Sequence, residues 1–239
     1  MNENNRSQKY LEFFVDNILP LSGIRRFNLY KAVFPQNDME HSFSVAILTM
    51  LLFEDINANK EIPANIKIGK DKEYADLITL ALLHDIEESI ISDIPAPIKI
   101  KLNEKLLKEI GMEKIYIKMK NIVSNNLGTV LNILKTPRKA ISGYKKNLLE
   151  LVKLADMMDV VAYLANEYII SKNKIYISIS EKQKEFIINN KYYKYSNFAK
   201  EFLNYYMEKF DDRPKSPSKP YNEFKGSFLL NPEVKEEYE

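Results

Sequence analysis

The sequence predicts an all-α fold. Apolar residues recur at helical spacing in most segments that are long enough to form a helix, whereas only one short segment alternates with the period of a strand. Two prolines, Pro95 and Pro97, end one of the helical segments, because proline lacks an amide donor and clashes with the preceding turn. We therefore expect one helical domain over residues 7–210.

The predicted helices follow one another along this domain. Ser196 is the expected N-cap of the last helix, since its hydroxyl can accept from an amide of the first turn. In residues 174–180 (KIYISIS), isoleucine alternates with Tyr176 and Ser178, which predicts a short β-hairpin arm or edge strand. Prolines become frequent near the end, where residues 211–239 are expected to form an extended or partly disordered tail. Helical spacing is found in residues 8–18, 39–53, 74–91, 102–123, 145–170 and 196–210.

Composition excludes several classes of function. The 239 residues carry 35 basic and 33 acidic side chains, so no clustered positive face for duplex nucleic acid is expected. The absence of cysteine excludes disulfides, thiolate metal sites and a cysteine nucleophile. The longest apolar run, residues 45–53, is far shorter than the roughly 20 residues of a membrane span, and the polar N-terminus lacks a secretory signal. A cytoplasmic protein without a membrane segment is predicted.

Both histidines of the chain stand beside acidic residues in apolar helical segments. His41 follows Glu40 at the start of one such helix, and His84 is followed directly by Asp85 in another. Asp156 interrupts a third apolar helix, where a carboxylate is costly unless it is paired or bound to a metal. Two imidazoles and two carboxylates from three helices suit a divalent first-row metal and leave positions for water.

Each of these residues has a simpler interpretation when it is taken alone. A single histidine on an apolar helix is often a core residue, a buried aspartate can pair with a lysine, and Arg26 beside Arg25 can be a surface pair. Both histidines in apolar helices, together with an aspartate inside a third apolar helix, form a joint pattern that arises by chance much less often than any one of these residues alone. Glu88 follows His84 by four residues, so on a continuous helix it would project over the candidate ligands, and Asp93 lies where that helix should end.

Four motifs agree in order and spacing over about residues 10–170. An Arg-aromatic dipeptide lies fifteen residues before the first histidine, followed by an E-H step, an H-D-x-x-E-x-x-x-x-D-apolar-P-x-P segment and a K-x-A-D step. This arrangement resembles the HD superfamily of metal-dependent phosphohydrolases and, within it, the bacterial YfbR-like 5′-deoxynucleotidases. The matching residues are Arg26–Phe27, Glu40–His41, His84, Asp85, Glu88, Asp93, Ile94, Pro95, Pro97, Lys153, Ala155 and Asp156.

The resemblance implies an HD-domain helical bundle that hydrolyses the 5′-phosphate of (deoxy)nucleoside monophosphates and forms a homodimer. It implies a divalent cofactor, Co²⁺, Mn²⁺, Zn²⁺ or Mg²⁺, whose ligands would be His41, His84, Asp85 and Asp156.

By the same resemblance, Arg26 would bind the phosphate and Phe27 the sugar. Glu88 would orient or deprotonate water, and Asp93 would contact the sugar or protonate the leaving oxygen. Ala96 would also lie against the substrate, where family members often carry a hydroxyl residue.

One departure from the family pattern concerns the sugar. Phe27 stands where the family typically has tryptophan, which predicts weaker selection for 2′-deoxy sugars.

Alternative functions remain open on the sequence alone. They are an HD phosphohydrolase for triphosphates, cyclic nucleotides or guanosine polyphosphates, a nucleotide sensor without turnover, and a structural protein.

Overall fold

The structure, a computed structural model, describes residues 8, 10–27, 31–69, 72–86, 88–91 and 146–211. This part of the chain is helical and contains no β-strand, which confirms the predicted all-α class. A π-helical turn (Phe14–Ile18) and 3₁₀ turns (Leu19–Gly23, Tyr193–Tyr195 and Glu208–Phe210) accompany the α-helices. The α-helices are α1 (Asp38–Ala58), α2 (Lys72–Leu83), α3 (Glu88–Ile91), α4 (Lys146–Ser171), α5 (Ile175–Asn189) and α6 (Asn197–Met207).

Helix α4 is the centre of the described bundle and packs against α1, α2, α5 and α6. It is buried along most of its length because apolar side chains cover more than one of its faces. Truncating a buried leucine in such a core lowers the free energy of unfolding by about 2–5 kcal/mol. The packed side chains of this core therefore hold α1 and α4 in one arrangement. The shared core includes Val45, Leu52 and Ile56 of α1, Leu77 of α2, Leu151, Ala155 and Met158 of α4, and Leu203 of α6.

The start of α1 is defined by a capping box. The Asn37 side-chain oxygen accepts from the Glu40 amide at 2.9 Å, and the Glu40 carboxylate accepts from the Asn37 amide at 3.1 Å. His41 follows in the first turn, and its amide donates to the Asn37 carbonyl. The cap therefore fixes the residue at which α1 begins and, with it, the position of His41.

The predicted N-cap of α6 is confirmed. The Ser196 hydroxyl accepts from the Ala199 amide at 2.9 Å and donates to the Asp55 carboxylate of α1 at 2.6 Å. The same carboxylate oxygen accepts from the Phe198 amide at 3.1 Å. This contact joins α6 to α1 near the C-terminal end of α1, about 21 Å along the helix axis from His41.

The strand or hairpin predicted at 174–180 is wrong, because this segment forms the first turns of α5. The buried residues of α5 are Tyr176, Ser180 and Ile187, which are four and seven residues apart and share one helical face. Ile175 is 39% exposed, so the alternating isoleucines do not line a buried strand face. The aromatic ring of Tyr176 instead packs into a second core against α4, and this tertiary contact favours the helix.

Two expectations fall outside the described residues. They are the predicted helix at 102–123 and the tail, of which only residue 211 is described. Among the described helices, none has the length and apolarity that spanning a bilayer requires.

Candidate metal centre

His41 lies fully buried in the first turn of α1, and its ring contacts a carboxylate of α4. Its Nδ1 is 2.6 Å from the Asp159 carboxylate. Because a carboxylate accepts, we assign the ring proton to Nδ1, which leaves the lone pair of Nε2 directed to the other candidate ligands. Asp159 thus sets the tautomer in which His41 can bind a metal through Nε2.

His84 is held in the same tautomer by the backbone. Its Nδ1 donates to the Ala81 carbonyl at 2.7 Å, so Nε2 carries the lone pair when the ring is neutral and a proton facing Asp85 when the ring is charged. The two Nε2 atoms are 3.1 Å apart. Two lone pairs at this distance repel each other unless a proton or a cation lies between them.

The helix that carries His84 ends earlier than the sequence predicts. The expected continuous helix over 74–91 is interrupted, since α2 ends at Leu83 and α3 begins at Glu88. In the intervening turn, the Ile86 amide donates to Leu83 and the Glu88 amide to Asp85, both bonds of 3₁₀ type.

The turn changes where the neighbouring side chains point. On a continuous helix the side chains of His84 and Asp85 would diverge by about 100°. In the turn both reach one place, with His84 Nε2 3.2 Å from Asp85 Oδ2.

Two carboxylates complete the set of candidate ligands. Asp156 Oδ1 is 3.2 Å and Asp85 Oδ2 is 3.6 Å from His41 Nε2. The ligand atoms of His41, His84 and Asp156 all lie within 4.8 Å of one another. Ligand atoms bound to one ion at about 2.0–2.2 Å stand about 3.0–3.5 Å apart, so the nitrogen and oxygen donors fit a divalent transition metal.

The charges of the site also favour a cation. Burial opposes protonation of His84, but its hydrogen bond with Asp85 and the charges of Asp85 and Asp156 outweigh this and raise its pKa to about 9. Burial acts in the opposite direction on the two aspartates, yet their hydrogen bonds and charge interactions with the imidazoles lower the pKa of each. Both aspartates are therefore ionised at neutral pH and draw positive charge to the histidine nitrogens.

Arg26 lies at the edge of this cluster. Its Nη1 is 2.8 Å from Asp85 Oδ2 and 3.6 Å from Asp38 Oδ1. Burial alone would lower the pKa of Arg26, but the charges of Asp85 and the other carboxylates around it outweigh burial and raise the pKa above its ordinary value. The guanidinium therefore stays charged. Its Nε is buried with no hydrogen-bond partner among the described residues, which leaves a donor for an anionic ligand.

Phe27 follows Arg26 in a strained backbone conformation. Its φ of 54° lies in the left-handed region, which costs a residue with a side chain about 1–2 kcal/mol. The ring stacks on Tyr163 of α4, with a centroid distance of 5.0 Å and an interplanar angle of 15°. Strain of this kind persists where the surroundings fix the residue, as the stack does here.

Of the other residues expected at the site, only Glu88 is described. It is buried at the start of α3, and its charge contributes to the raised pKa of Arg26. Asp93 and Ala96 lie outside the described residues.

Sequence reasoning missed three residues that support the site. They are Asp159, which bonds to His41, Gln36, whose side-chain amide donates to the same Asp159 oxygen at 3.0 Å, and Tyr163. Asp159 and Tyr163 could have been found from their spacing, because they follow Asp156 by three and seven residues and so share its helical face. Gln36 had no such signal, because its position depends on a loop.

Comparisons with known proteins bear on the family and on the fold. A family model described as 5′-deoxynucleotidase YfbR-like matches residues 13–206. No curated protein matches the chain significantly.

Solved structures resemble the fold at low sequence identity. The PH0347 protein from Pyrococcus horikoshii OT3 is 21% identical, with a TM-score of 0.50 over 84% of this chain and 98% of its own. The cyanophage S-2L HD phosphohydrolase DatZ, in a structure bound to dA and one catalytic Zn²⁺ ion, is 19% identical. Its TM-score is 0.43 over 80% of this chain and 91% of its own. At this identity the likeness to the PH0347 protein bears on the fold alone.

Proposed function

Because the chain belongs to the YfbR-like 5′-deoxynucleotidase family, we propose that it is a metal-dependent phosphohydrolase that removes the 5′-phosphate of (deoxy)nucleoside monophosphates. One observation carries the proposal beyond the family. The ligand atoms of His41, His84 and Asp156 lie within 4.8 Å, with Arg26 ion-paired to Asp85 at their edge. A metal ion beside a largely buried arginine is a suitable arrangement for a phosphate dianion.

The proposed ligands of the divalent ion are His41, His84, Asp85 and Asp156. When bound, the ion would lower the pKa of a water molecule and polarise the phosphoryl group. The imidazoles would bind through Nε2, since Nδ1 of each is engaged by Asp159 or by the Ala81 carbonyl. The ion would also neutralise the negative charge that raises the pKa of His84. Co²⁺, Mn²⁺, Zn²⁺ and Mg²⁺ are the ions to test.

The remaining roles belong to groups around the ligands. Arg26 would bind the phosphate, where its planar fork can donate two hydrogen bonds and its buried Nε offers a further donor. Glu88, buried near Arg26, would accept the proton of the attacking water or orient it. Asp93 would contact the sugar or protonate the leaving 5′-oxygen, and Phe27 and Ala96 would border the nucleoside.

A phosphate-release screen tests this function. Purified protein is treated with EDTA, reloaded with each of the four metals, and offered nucleoside monophosphates, triphosphates and cyclic nucleotides. We expect release from monophosphates only, lost after chelation and lost in Asp85→Asn. Glu185→Gln removes the same charge from an exposed position of α5 and should leave activity unchanged.

Other outcomes of the screen would replace the proposal. Turnover confined to triphosphates or cyclic nucleotides would contradict it. Tight metal-dependent nucleotide binding without any product would instead favour a sensor.

Three further properties complete the proposal. The catalytic domain would span residues 7–210, which is supported by the family match over 13–206, with residues 211–239 as a tail. The protein would act in the cytoplasm on free nucleotides rather than on duplex nucleic acid. It would also form a homodimer, as the family resemblance implies. Light scattering coupled to size exclusion measures the oligomeric state, and a mass equal to one chain would exclude the dimer.

A further inference from the structure

The Arg26–Phe27 step opens a loop that returns to the start of α1. The neck of this loop is closed by backbone bonds: the Arg26 amide donates to the Gln36 carbonyl at 2.9 Å, and the Asp38 amide donates to Ile24 at 3.1 Å. The position of Arg26 therefore depends on where the second half of the loop, residues 31–37, is held. We name residues 31–37 the return segment.

The return segment is anchored by a carboxylate from α4. Glu167 Oε2 accepts from the Val33 amide and Oε1 accepts from the Phe34 amide, each at 2.7 Å. Glu167 is 2% exposed and lies two helical turns beyond Asp159. A buried carboxylate that accepts from two consecutive amides fixes both the position and the orientation of that backbone.

Apolar contacts do not explain this anchoring. The side chains of Val33 and Phe34 are 48% and 66% exposed, so they face away from the core while their amides face Glu167. Elsewhere in the return segment, the Tyr176 hydroxyl donates to the Lys31 carbonyl at a longer 3.3 Å, and the Gln36 side chain donates to Asp159. The two bonds to Glu167 are shorter than either of these contacts.

The same carboxylate lies close to the aromatic pair at the other end of the loop. Burial raises the pKa of Tyr163, and the charge of Glu167 raises it further. Tyr163 carries the ring on which Phe27 stacks. One face of α4 thus holds the loop at both of its ends, through Tyr163 at Phe27 and through Glu167 at the return segment.

We propose that Glu167 is a positioning residue for substrate binding, which acts by holding the return segment and, through the Arg26–Gln36 backbone bond, the guanidinium of Arg26. The inference rests on the proposed function, in which Arg26 binds the phosphate. Glu167 does not touch the candidate metal ligands. His41 is held by Asp159 and by the first turn of α1, whose capping box at Asn37 lies three residues beyond the last amide that Glu167 accepts from. Loss of the anchor should therefore weaken nucleotide binding and spare metal binding.

The test compares Glu167→Gln and Glu167→Asp with the wild type and with Glu185→Gln as the exposed control. Glutamine keeps the size of the side chain but replaces one acceptor with a donor, which would face an amide donor. Aspartate keeps both acceptors on a shorter stem. The measurements are KM and kcat for dAMP, the Kd for Co²⁺, and hydrogen exchange of the Val33 and Phe34 amides, all on the full chain.

In Glu167→Gln we expect KM to rise about ten- to a hundredfold, because a displaced Arg26 loses a charge-assisted hydrogen bond to the phosphate, which contributes about one to two factors of ten in affinity. We expect kcat to change less than about threefold, because the lost contact holds the substrate equally in the ground state and the transition state. The Co²⁺ Kd should also change less than about threefold. The Val33 and Phe34 amides should exchange faster, because they lose their acceptor. Glu167→Asp should give a KM between those of the wild type and Glu167→Gln. If Glu167→Gln does not fold, the KM of Glu167→Asp serves as the test. Glu185→Gln should match the wild type.

Three results would overturn the inference. An unchanged KM in Glu167→Gln, with normal turnover in the wild type, would show that Glu167 does not position Arg26 and would leave the proposed function intact. A Co²⁺ Kd that weakens in parallel with KM would show a general loss of the site. If the wild type releases no phosphate from any nucleoside monophosphate, the proposed function is wrong and the inference falls with it.

Discussion

Asp159→Asn tests whether the candidate metal centre depends on the tautomer of His41. One oxygen of Asp159 accepts from His41 Nδ1 at 2.6 Å and from the Gln36 amide at 3.0 Å, and the side chain is only 9% exposed. Asparagine can place its amide oxygen at the same point, but its hydrogen bonds lack the charge. A hydrogen bond to a charged group contributes about 1.5–3 kcal/mol and a neutral one about 0.5–1.5 kcal/mol, so about 1–1.5 kcal/mol should be lost.

That loss corresponds to roughly a tenfold weaker metal affinity, since each 1.4 kcal/mol is one factor of ten. Asp159→Ala should lose more, about a hundredfold, because nothing then holds the proton on Nδ1 or orients the ring. The assay is competition for Co²⁺ against a chromogenic chelator, followed by phosphate release at increasing metal concentration. Activity of Asp159→Asn should recover when metal is in large excess, whereas that of Asp156→Asn should not.

Asp55→Asn is the matched control for this experiment. Asp55 also accepts two hydrogen bonds on one oxygen, from Ser196 and Phe198, but it lies about 21 Å along α1 from His41. The control should lower the melting temperature and leave the Co²⁺ Kd unchanged. If Asp159→Asn and Asp159→Ala both bind Co²⁺ within twofold of the wild type, the tautomer argument is refuted and Asp159 only packs against His41.

Three further predictions concern the loop and the bundle. Arg26→Lys should raise KM for nucleoside monophosphates about ten- to a hundredfold in steady-state assays, because lysine keeps the charge but loses the fork; a KM within twofold of the wild type would remove Arg26 from phosphate binding. Phe27→Trp should raise the ratio of kcat/KM for dAMP over AMP by roughly tenfold, since a larger ring stacked on Tyr163 narrows the space beside the sugar; an unchanged ratio would show that this ring does not select the sugar. Ser196→Ala should lower the free energy of unfolding in urea by about 1–2 kcal/mol and leave kcat unaltered, because the hydroxyl caps α6 and bonds to Asp55; equal stability would mean that water replaces the cap.

Helices with a strong apolar period and a defined cap could be predicted from the sequence. The long central helix, predicted over 145–170, is observed as α4, and Ser196 caps α6 as expected. The segment at 174–180 could not be assigned correctly, because a seven-residue pattern of isoleucine and tyrosine fits either a strand or a helix. Its packing partners on α4, among them Tyr168, are distant in sequence, and they decide between the two.

The residues at the candidate site divide in a similar way. His41, His84 and Asp156 could be selected from the sequence because polar groups in apolar helices need a reason to be there, and the structure brings the three together. The end of α2 before His84 could not be anticipated, since no proline or glycine marks it. What favours the turn is the pair of bonds that His84 makes, to the Ala81 carbonyl and to Asp85, and these exist only in the folded chain.

Helix α4 organises the candidate site through one face, on which four polar residues each contact a different part of it. Asp156, Asp159, Tyr163 and Glu167 are spaced by three, four and four residues, the repeat of a single helical face. In order, they contact the imidazole nitrogen of His41, the other nitrogen of that ring, the ring of Phe27 and the amides of the return segment. A rotation or shift of α4 would therefore disturb the proposed metal ligands and the proposed substrate contacts together. The apolar core on its other faces prevents that motion, and for this reason a helix that is largely buried can carry four polar residues without loss of the fold.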